Sequence, residues 1–195
     1  MKKVIPRGSV LIPSSASCVY SGVIFDVYQW QQKLYDGSYK AFEMLKRPDT
    51  VTIFAIVDDK ILLLEDEQPQ RDVLLTLPGG RVDPEDESPL AAAKRETLEE
   101  TGYSFDNWKL VWVEKPEEKL EWFIHTFIAW GVSGQTEPKL DSGEKITSML
   151  KSFKEIQSLR TAGERRLLDE KVLQTVDTLE ALANTPEFKG QEVDR

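Results

Sequence analysis

Between Leu77 and Tyr103 the chain reads LPGGRVDPEDESPLAAAKRETLEETGY, and this run constrains the fold more than any other. A short apolar strand, VLLTLPGG, ends in a tight turn at Gly79-Gly80. Ser88 is a favoured N-cap, and Pro89 a favoured first helical residue because its missing N–H would have no partner there. Ala91, Ala92 and Ala93 propagate a helix well. Gly102 stands where a left-handed C-terminal cap belongs. The spacing predicts a helix over Pro89–Thr101. On it Glu96 and Glu100 share a face one turn apart, with Glu99 beside both. Like charges at this spacing weaken an isolated helix, and the helix dipole disfavours acids in the last turn, where Glu99 and Glu100 fall. A hard divalent cation takes carboxylate oxygens and removes that penalty. Glu96, Glu99 and Glu100 are therefore candidate metal ligands. The glycine turn lets backbone approach the same place, so the Gly79 carbonyl is a further candidate, and Arg95 can orient a carboxylate.

The flanking sequence reads as strands. β-branched and aromatic residues on both sides of Asp36-Gly37 predict a hairpin in the first segment, up to about Arg47. TVTIFAIVDDKILLLEDEQ predicts a second hairpin turning at Asp58-Asp59. KLVWVEK, EWFIHTFIAWGV and KITSMLK are further strand candidates. Thr161 and Glu164 form a capping-box pattern, and Leu168, Val172, Val176 and Leu179 recur at helical spacing. One long amphipathic helix ending near Asn184 is expected, followed by a polar, mobile tail. The layout is α+β: a mixed sheet, two main helices and an N-terminal β region. Its expected divisions are an N-terminal subdomain over 1–47, a main domain over 48–184 and the tail over 185–195.

Composition narrows the partners. The 195 residues carry a formal net charge of −9 and no long basic run. That argues against nucleic acid, whose binding rests on neutralising phosphates. An acidic chain can still hold a phosphorylated small molecule if a metal carries the positive charge. The single cysteine, Cys18, allows no intrachain disulfide and fits a reducing, cytoplasmic setting. No apolar run approaches the roughly 18 residues of a membrane span, so no membrane partner is expected. The single histidine, His125, lies in EWFIHTFIAW and reads as a strand residue rather than part of a zinc site or a Ser-His-Asp triad.

With Leu77-Pro78-Gly79-Gly80 as lead-in and Glu87, Arg95, Glu96, Glu99, Glu100 and Gly102 in register, the run resembles the Nudix hydrolase signature. Six residues separate Gly80 from Glu87 where the pattern has five, which leaves Glu85, Asp86 and Glu87 in competition for the family glutamate's part. Thr97 takes a position that is usually aliphatic, and Leu98 is expected to supply some of that packing. The wider sequence, over roughly 20–160, resembles the ADP-ribose pyrophosphatase and nucleotide-sugar hydrolase branch. The resemblance implies a Nudix fold with a mixed β-sheet sandwiched between helices, and an N-terminal antiparallel β subdomain that builds a homodimer and part of the substrate cleft.

It also implies hydrolysis of the pyrophosphate bond of a nucleoside diphosphate linked to another moiety, ADP-ribose or a nucleotide sugar, with Mg²⁺ or Mn²⁺. By position, Glu96 and Glu100 would be principal metal ligands and Gly79 a further one. Glu99 would be an accessory ligand or base, and Arg95 and Glu87 would brace the loop. In this branch the general base sits in a loop like TEPKLDSGEKI, where Glu144 aligns best and Asp141 and Glu137 compete. Arg47 and Arg71 are candidate phosphate contacts. Tyr28, Trp30, Tyr35 and Phe42 are candidate stacking residues. Phe42-Glu43 stand where many ADP-ribose pyrophosphatases carry Arg-Glu, a departure that weakens a specific ADP-ribose assignment, and Glu43 is a candidate substrate contact. Two other readings remain: a house-cleaning hydrolase of nucleoside triphosphates or dinucleoside polyphosphates, and a Nudix sensor that binds without cutting.

Overall fold

The computed structural model describes residues 2–69, 71–140, 142–143, 145–164, 167 and 170–194, with the backbone alone of Arg71. Its centre is a mixed sheet. Strand β5 (Thr50–Val57) and strand β6 (Lys60–Gln68) form the expected hairpin, and Asp58 and Asp59 both take positive φ at its turn, the geometry that matches strand twist. Strand β7 (Arg71–Thr76) and strand β11 (Lys145–Lys151) both pair with β6. On the other side β5 pairs in parallel with β10 (Ile124–Gln135), which pairs antiparallel with β8 (Tyr103–Glu114).

Alternation along β5 gives each face its own core. Val51, Ile53, Ala55 and Val57 face helix α1 (Pro89–Thr101), whose Ala92 and Ala93 lie flat against them with Phe105, Phe127 and Ala129. Phe54 points the other way, into a core with Leu63, Ile128, Phe153, Ile156, Val172, Leu173 and Leu182. Those last five belong to α2 (Phe153–Thr161), α3 (Lys171–Thr175) and α4 (Leu179–Ala183). The sheet is thus sandwiched between helices, as expected.

Where one long helix was expected from Thr161 to about Asn184, the described residues form two short ones, α3 and α4, and α2 ends where the long helix was to begin. The working capping box is Ser152 with Glu155, which opens α2, rather than Thr161 with Glu164. Gly163 takes φ 96 just past α2, Val176 is extended, and Thr178 caps a new start by accepting from the Ala181 N–H. Val172, Val176 and Leu179 still pack on the same core. Their spacing therefore reported burial correctly and continuity wrongly. Leu168 lies outside the described residues.

The chain's ends also differ from expectation. Strand β12 (Gln191–Asp194) pairs antiparallel with β1 (Lys2–Ile5), placing Val193 opposite Lys3, and Phe188 and Val193 pack against the buried cluster of Ile5, Val113 and Phe123. The tail is not a mobile polar segment, because its two apolar side chains find a partner strand almost the whole chain away. The N-terminal hairpin forms as predicted, with β3 (Asp26–Lys33) and β4 (Tyr39–Lys46) around Asp36-Gly37. It is flanked by β2 (Ser17–Ser21), and by a parallel contribution from β9 (Leu120–Glu121) on β4. No described helix is long and apolar enough to cross a membrane.

Deleting residues 185–195 removes β12 and uncovers Ile5 and Phe123. We expect the thermal midpoint to fall by roughly 5 °C or more, since a chain of this size loses about 2–4 °C per kcal/mol. An unchanged midpoint in a circular dichroism melt would contradict the docking of the tail.

Candidate active site

Helix α1 has the boundaries its sequence dictates. The Ser88 hydroxyl accepts from the Ala91 N–H at 3.2 Å, and Gly102, at φ 75, closes the far end by donating to the Leu98 carbonyl at 2.9 Å. Thr97, in a usually aliphatic position, is fully buried, and its hydroxyl is satisfied by the Ala93 carbonyl at 2.7 Å. Leu98 does not take over its packing, since it faces solvent.

The glycine turn is wedged between β5 and α1. Ile53 and Val51 donate to the Pro78 and Gly80 carbonyls at 2.8 and 2.9 Å. The intervening peptide faces the helix, and the Gly79 N–H donates to Glu100 Oε2 at 2.9 Å. A methyl group on Gly79 would run into the Val51 carbonyl oxygen, and one on Gly80 into the Glu96 carboxylate. Only glycine permits the first approach, whereas at Gly80 the end of the Glu96 side chain would have to swing aside.

Around this turn lies a cavity of about 220 Å³ lined by Gly79, Gly80, Glu96, Glu99, Glu100 and Lys139, together with Arg81, Asp83 and Arg95. Arg95 organises its acids. Its guanidinium reaches Asp86 at 2.8 and 3.2 Å, Glu96 at 3.0 Å, Glu99 at 3.1 Å and the Arg81 carbonyl at 2.9 Å. The Asp86 hydrogen bonds, then Glu96 and Glu99, raise the Arg95 pKa above the ordinary arginine value. The same contact holds the Asp86 carboxyl below the usual aspartate value.

Asp86, then, is the acid that braces Arg95, while Glu87 and Glu85 are exposed. The expected role of Glu87 moves one residue back. The signal was present: five residues separate Gly80 from Asp86, and the extra residue falls between Asp86 and the helix.

The three helix glutamates share one cavity but are engaged separately, Glu96 and Glu99 by Arg95 and Glu100 by Gly79. Among the described residues no three acidic, histidine or cysteine side chains converge as a metal cluster. The donor set nevertheless suits a hard cation: all its candidate ligands are oxygens, and no basic residue in the last turn of α1 offsets Glu99 and Glu100. Of the three turn carbonyls, those of Pro78 and Gly80 accept hydrogen bonds from β5.

The other expected residues are scattered. Arg47 lies over the Trp122 ring at 4.6 Å and the Phe25 ring at 5.8 Å, and its Nε has no hydrogen-bond partner among the described residues. Burial and then the charge of Arg81 lower its pKa. Trp122 donates to the Thr50 hydroxyl at 3.1 Å, and Thr50 bridges to Arg81, so Arg47 belongs to the rim of the glycine turn. Glu43 accepts from Gln29 on the hairpin at 3.0 Å and lines a separate cleft of about 480 Å³ with Phe42 and Lys119. Tyr28 is half-buried on β3, where burial and then Cys18 push its phenol pKa up. Trp30 and Phe42 meet across the hairpin at 6.2 Å, and Tyr35 is fully exposed.

The side chain of Arg71, and Asp141 and Glu144, lie outside the described residues. Glu137 is exposed in the loop that runs beside the end of α1, where Lys139 donates its N–H to the Glu99 carbonyl at 2.8 Å. Arg81 and Lys139 went unnoticed in the sequence. Arg81 follows the glycine pair directly, which was a usable signal, whereas Lys139 reaches the site only through the fold. His125 is buried in β10 away from the acids, and burial lowers its pKa to about 4.

Residues 46–173 match the model of the NUDIX domain, and the chain belongs to this family as a Nudix pyrophosphohydrolase. It is 25% identical over 166 residues to the ADP-ribose pyrophosphatase of Bacillus subtilis (strain 168), covering 83% of this chain and 88% of that protein. Its fold is similar to a crystal structure of an ADP compounds hydrolase, with a TM-score of 0.63 at 20% identity, covering 93% of this chain and 94% of the other. Hydrolases of this family generally depend on divalent metals.

Replacing Asp86 by Asn should lower turnover roughly tenfold or more by loosening Arg95, whereas Glu87→Gln should stay within about twofold. Because the Asp86 pKa is depressed, its stabilisation is complete above the ordinary aspartate pKa and is lost as pH falls through the folded value. The stability deficit of D86N should therefore be present at neutral pH and vanish in acid. Equal effects of the two substitutions in parallel kinetics and melts would contradict the assignment.

Proposed function

We propose that this chain hydrolyses the pyrophosphate bond of a nucleoside diphosphate linked to another moiety, ADP-ribose or a nucleotide sugar, with Mg²⁺ as cofactor. The observation that carries this reading is the acidic cavity at the glycine turn, lined also by Arg81, with Arg47 connected to it through Trp122 and Thr50. The names of the relative and of the structural neighbour, both acting on ADP compounds, support the substrate class.

Glu96, Glu100 and the Gly79 carbonyl would hold the ion, with Glu99 as accessory ligand. When bound, the ion supplies charge neutralisation for the diphosphate and acidifies a water. Arg95 keeps Glu96 and Glu99 oriented toward the cavity. Arg47 and Arg81 repel each other, and a phosphate between them turns that repulsion into attraction. A proton is taken up by Glu99 or by an acid of the 137–144 loop, with Glu144 the first candidate by sequence position.

A sensor without catalysis is less well supported, because the extra loop residue that suggested it leaves Arg95 braced by Asp86. The N-terminal strands also favour the larger substrate class over house-cleaning. Their sheet exposes Val19, Tyr20, Ile24 and Tyr39, each at least half exposed, which supports a second copy of the chain as cover. A small-molecule role in a cytoplasmic homodimer completes the proposal.

The test is phosphate release through a coupled phosphatase, with Mg²⁺ or with chelator, over ADP-ribose, nucleotide sugars, dinucleotides and nucleoside triphosphates. Cleavage of a diphosphate-linked substrate that stops on chelation is expected. Glu100→Gln, which keeps an acceptor for the Gly79 N–H, should cut turnover about 10²- to 10³-fold with the fold intact. Preference for triphosphates, or an unchanged E100Q rate, would overturn the substrate class or the place of Glu100 in the site.

A further inference from the structure

A buried ion pair lies behind the glycine turn, outside the acid cluster. Lys3 on β1 and Asp49, immediately before β5, meet at 2.5 Å with side chains 6% and 4% exposed. The ammonium also sits 4.8 Å from the centre of the Phe123 ring, and the second Asp49 oxygen accepts the Phe123 N–H at 3.0 Å. The main chain of Asp49 reaches the site itself. Its carbonyl accepts the Val82 N–H at 2.8 Å, which makes it the next rung of the ladder by which Val51 and Ile53 hold Gly80 and Pro78. The same segment carries the Gly79 N–H that fixes Glu100.

We propose that Lys3 and Asp49 are positioning residues for the hydrolysis. The pair clamps the start of β5, and β5 sets how deeply Gly79 and Gly80 sit against α1. Lys3 is delivered by β1, and β1 is held by β12, so both ends of the chain support the site from behind. Packing alone gives little reason for charges here, because a buried ion pair is often replaced by apolar residues without loss of stability. Asp49 has a further task that an apolar residue cannot perform, since it ties the Phe123 N–H at the head of β10 to the strand that holds the turn. Neither side chain touches the cavity, so the expected signature is a change in turnover rather than in substrate affinity.

The kinetic arm rests on the hydrolase reading, and a spectroscopic arm does not. Lys3→Met, Asp49→Asn and the double variant K3M/D49N are compared with the wild type well below their melting midpoints. The double variant strands no buried charge, so it carries the test even where a single variant unfolds. Turnover should fall roughly 10- to 100-fold in the double variant with KM within about twofold, as expected for a small misplacement of reacting groups. The amide resonances of Gly79, Gly80 and Val82 should shift. Wild-type kcat and unshifted amides in K3M/D49N, with only a lowered midpoint, would overturn the proposal. A wild type inactive on every diphosphate would count against the substrate reading alone, and the amide shifts would still decide the role of the pair.

Discussion

The missing side chains of Gly79 and Gly80 govern the site. Because neither residue carries a Cβ, the turn can lie with one face on the Val51 carbonyl and the other on the Glu96 carboxylate. That double approach sets the distance between β5 and α1 at the point where chemistry is possible. The alanines of α1 extend the same close contact along the helix, since Ala92 and Ala93 are fully buried against the β5 face. Small residues thus bring a carboxylate helix and a strand-end backbone together closely enough to share one cavity.

Charge is the second theme. The acids of this cavity would repel one another if left alone, and one guanidinium threads through Asp86, Glu96 and Glu99 to hold them. Glu100 is held by a backbone N–H instead, which costs no further cation. The arrangement keeps the oxygens ordered but leaves the cavity acidic, the condition under which a divalent ion and an anionic substrate assemble together. On the proposed reading, a divalent ion is what lets an acidic chain with no basic stretch act on a polyanion.

Local features were legible in the sequence. The cap residues Ser88 and Gly102 delimit α1, the turn residues of both hairpins specify their loops, and the glutamate spacing brings Glu96, Glu99 and Glu100 to one cavity. What escaped reading was non-local or depended on the counting origin. Counting back from Arg95 points to Glu87, whereas counting forward from Gly80 points to Asp86, and only the guanidinium's reach decides between them. The tail looks polar residue by residue, yet Phe188 and Val193 pack, partly buried, against a cluster built on a strand some 185 positions before them. The C-terminal helices share one core-facing spacing, and local breaks at Gly163 and Val176 divided them. Lys3 and Asp49 carry no pattern at all, because a buried pair 46 residues apart exists only once the sheet has formed.

In the proposed reaction the α1 glutamates and the Gly79 turn make a single divalent-ion site. Titrating ¹⁵N-labelled protein with substoichiometric Mn²⁺ and following amide line broadening tests it directly. The amides of Gly79, Gly80, Glu96, Glu99 and Glu100 should broaden first and recover when excess Mg²⁺ is added. Broadening that begins elsewhere, or that spreads evenly over the acidic surface, would contradict the account.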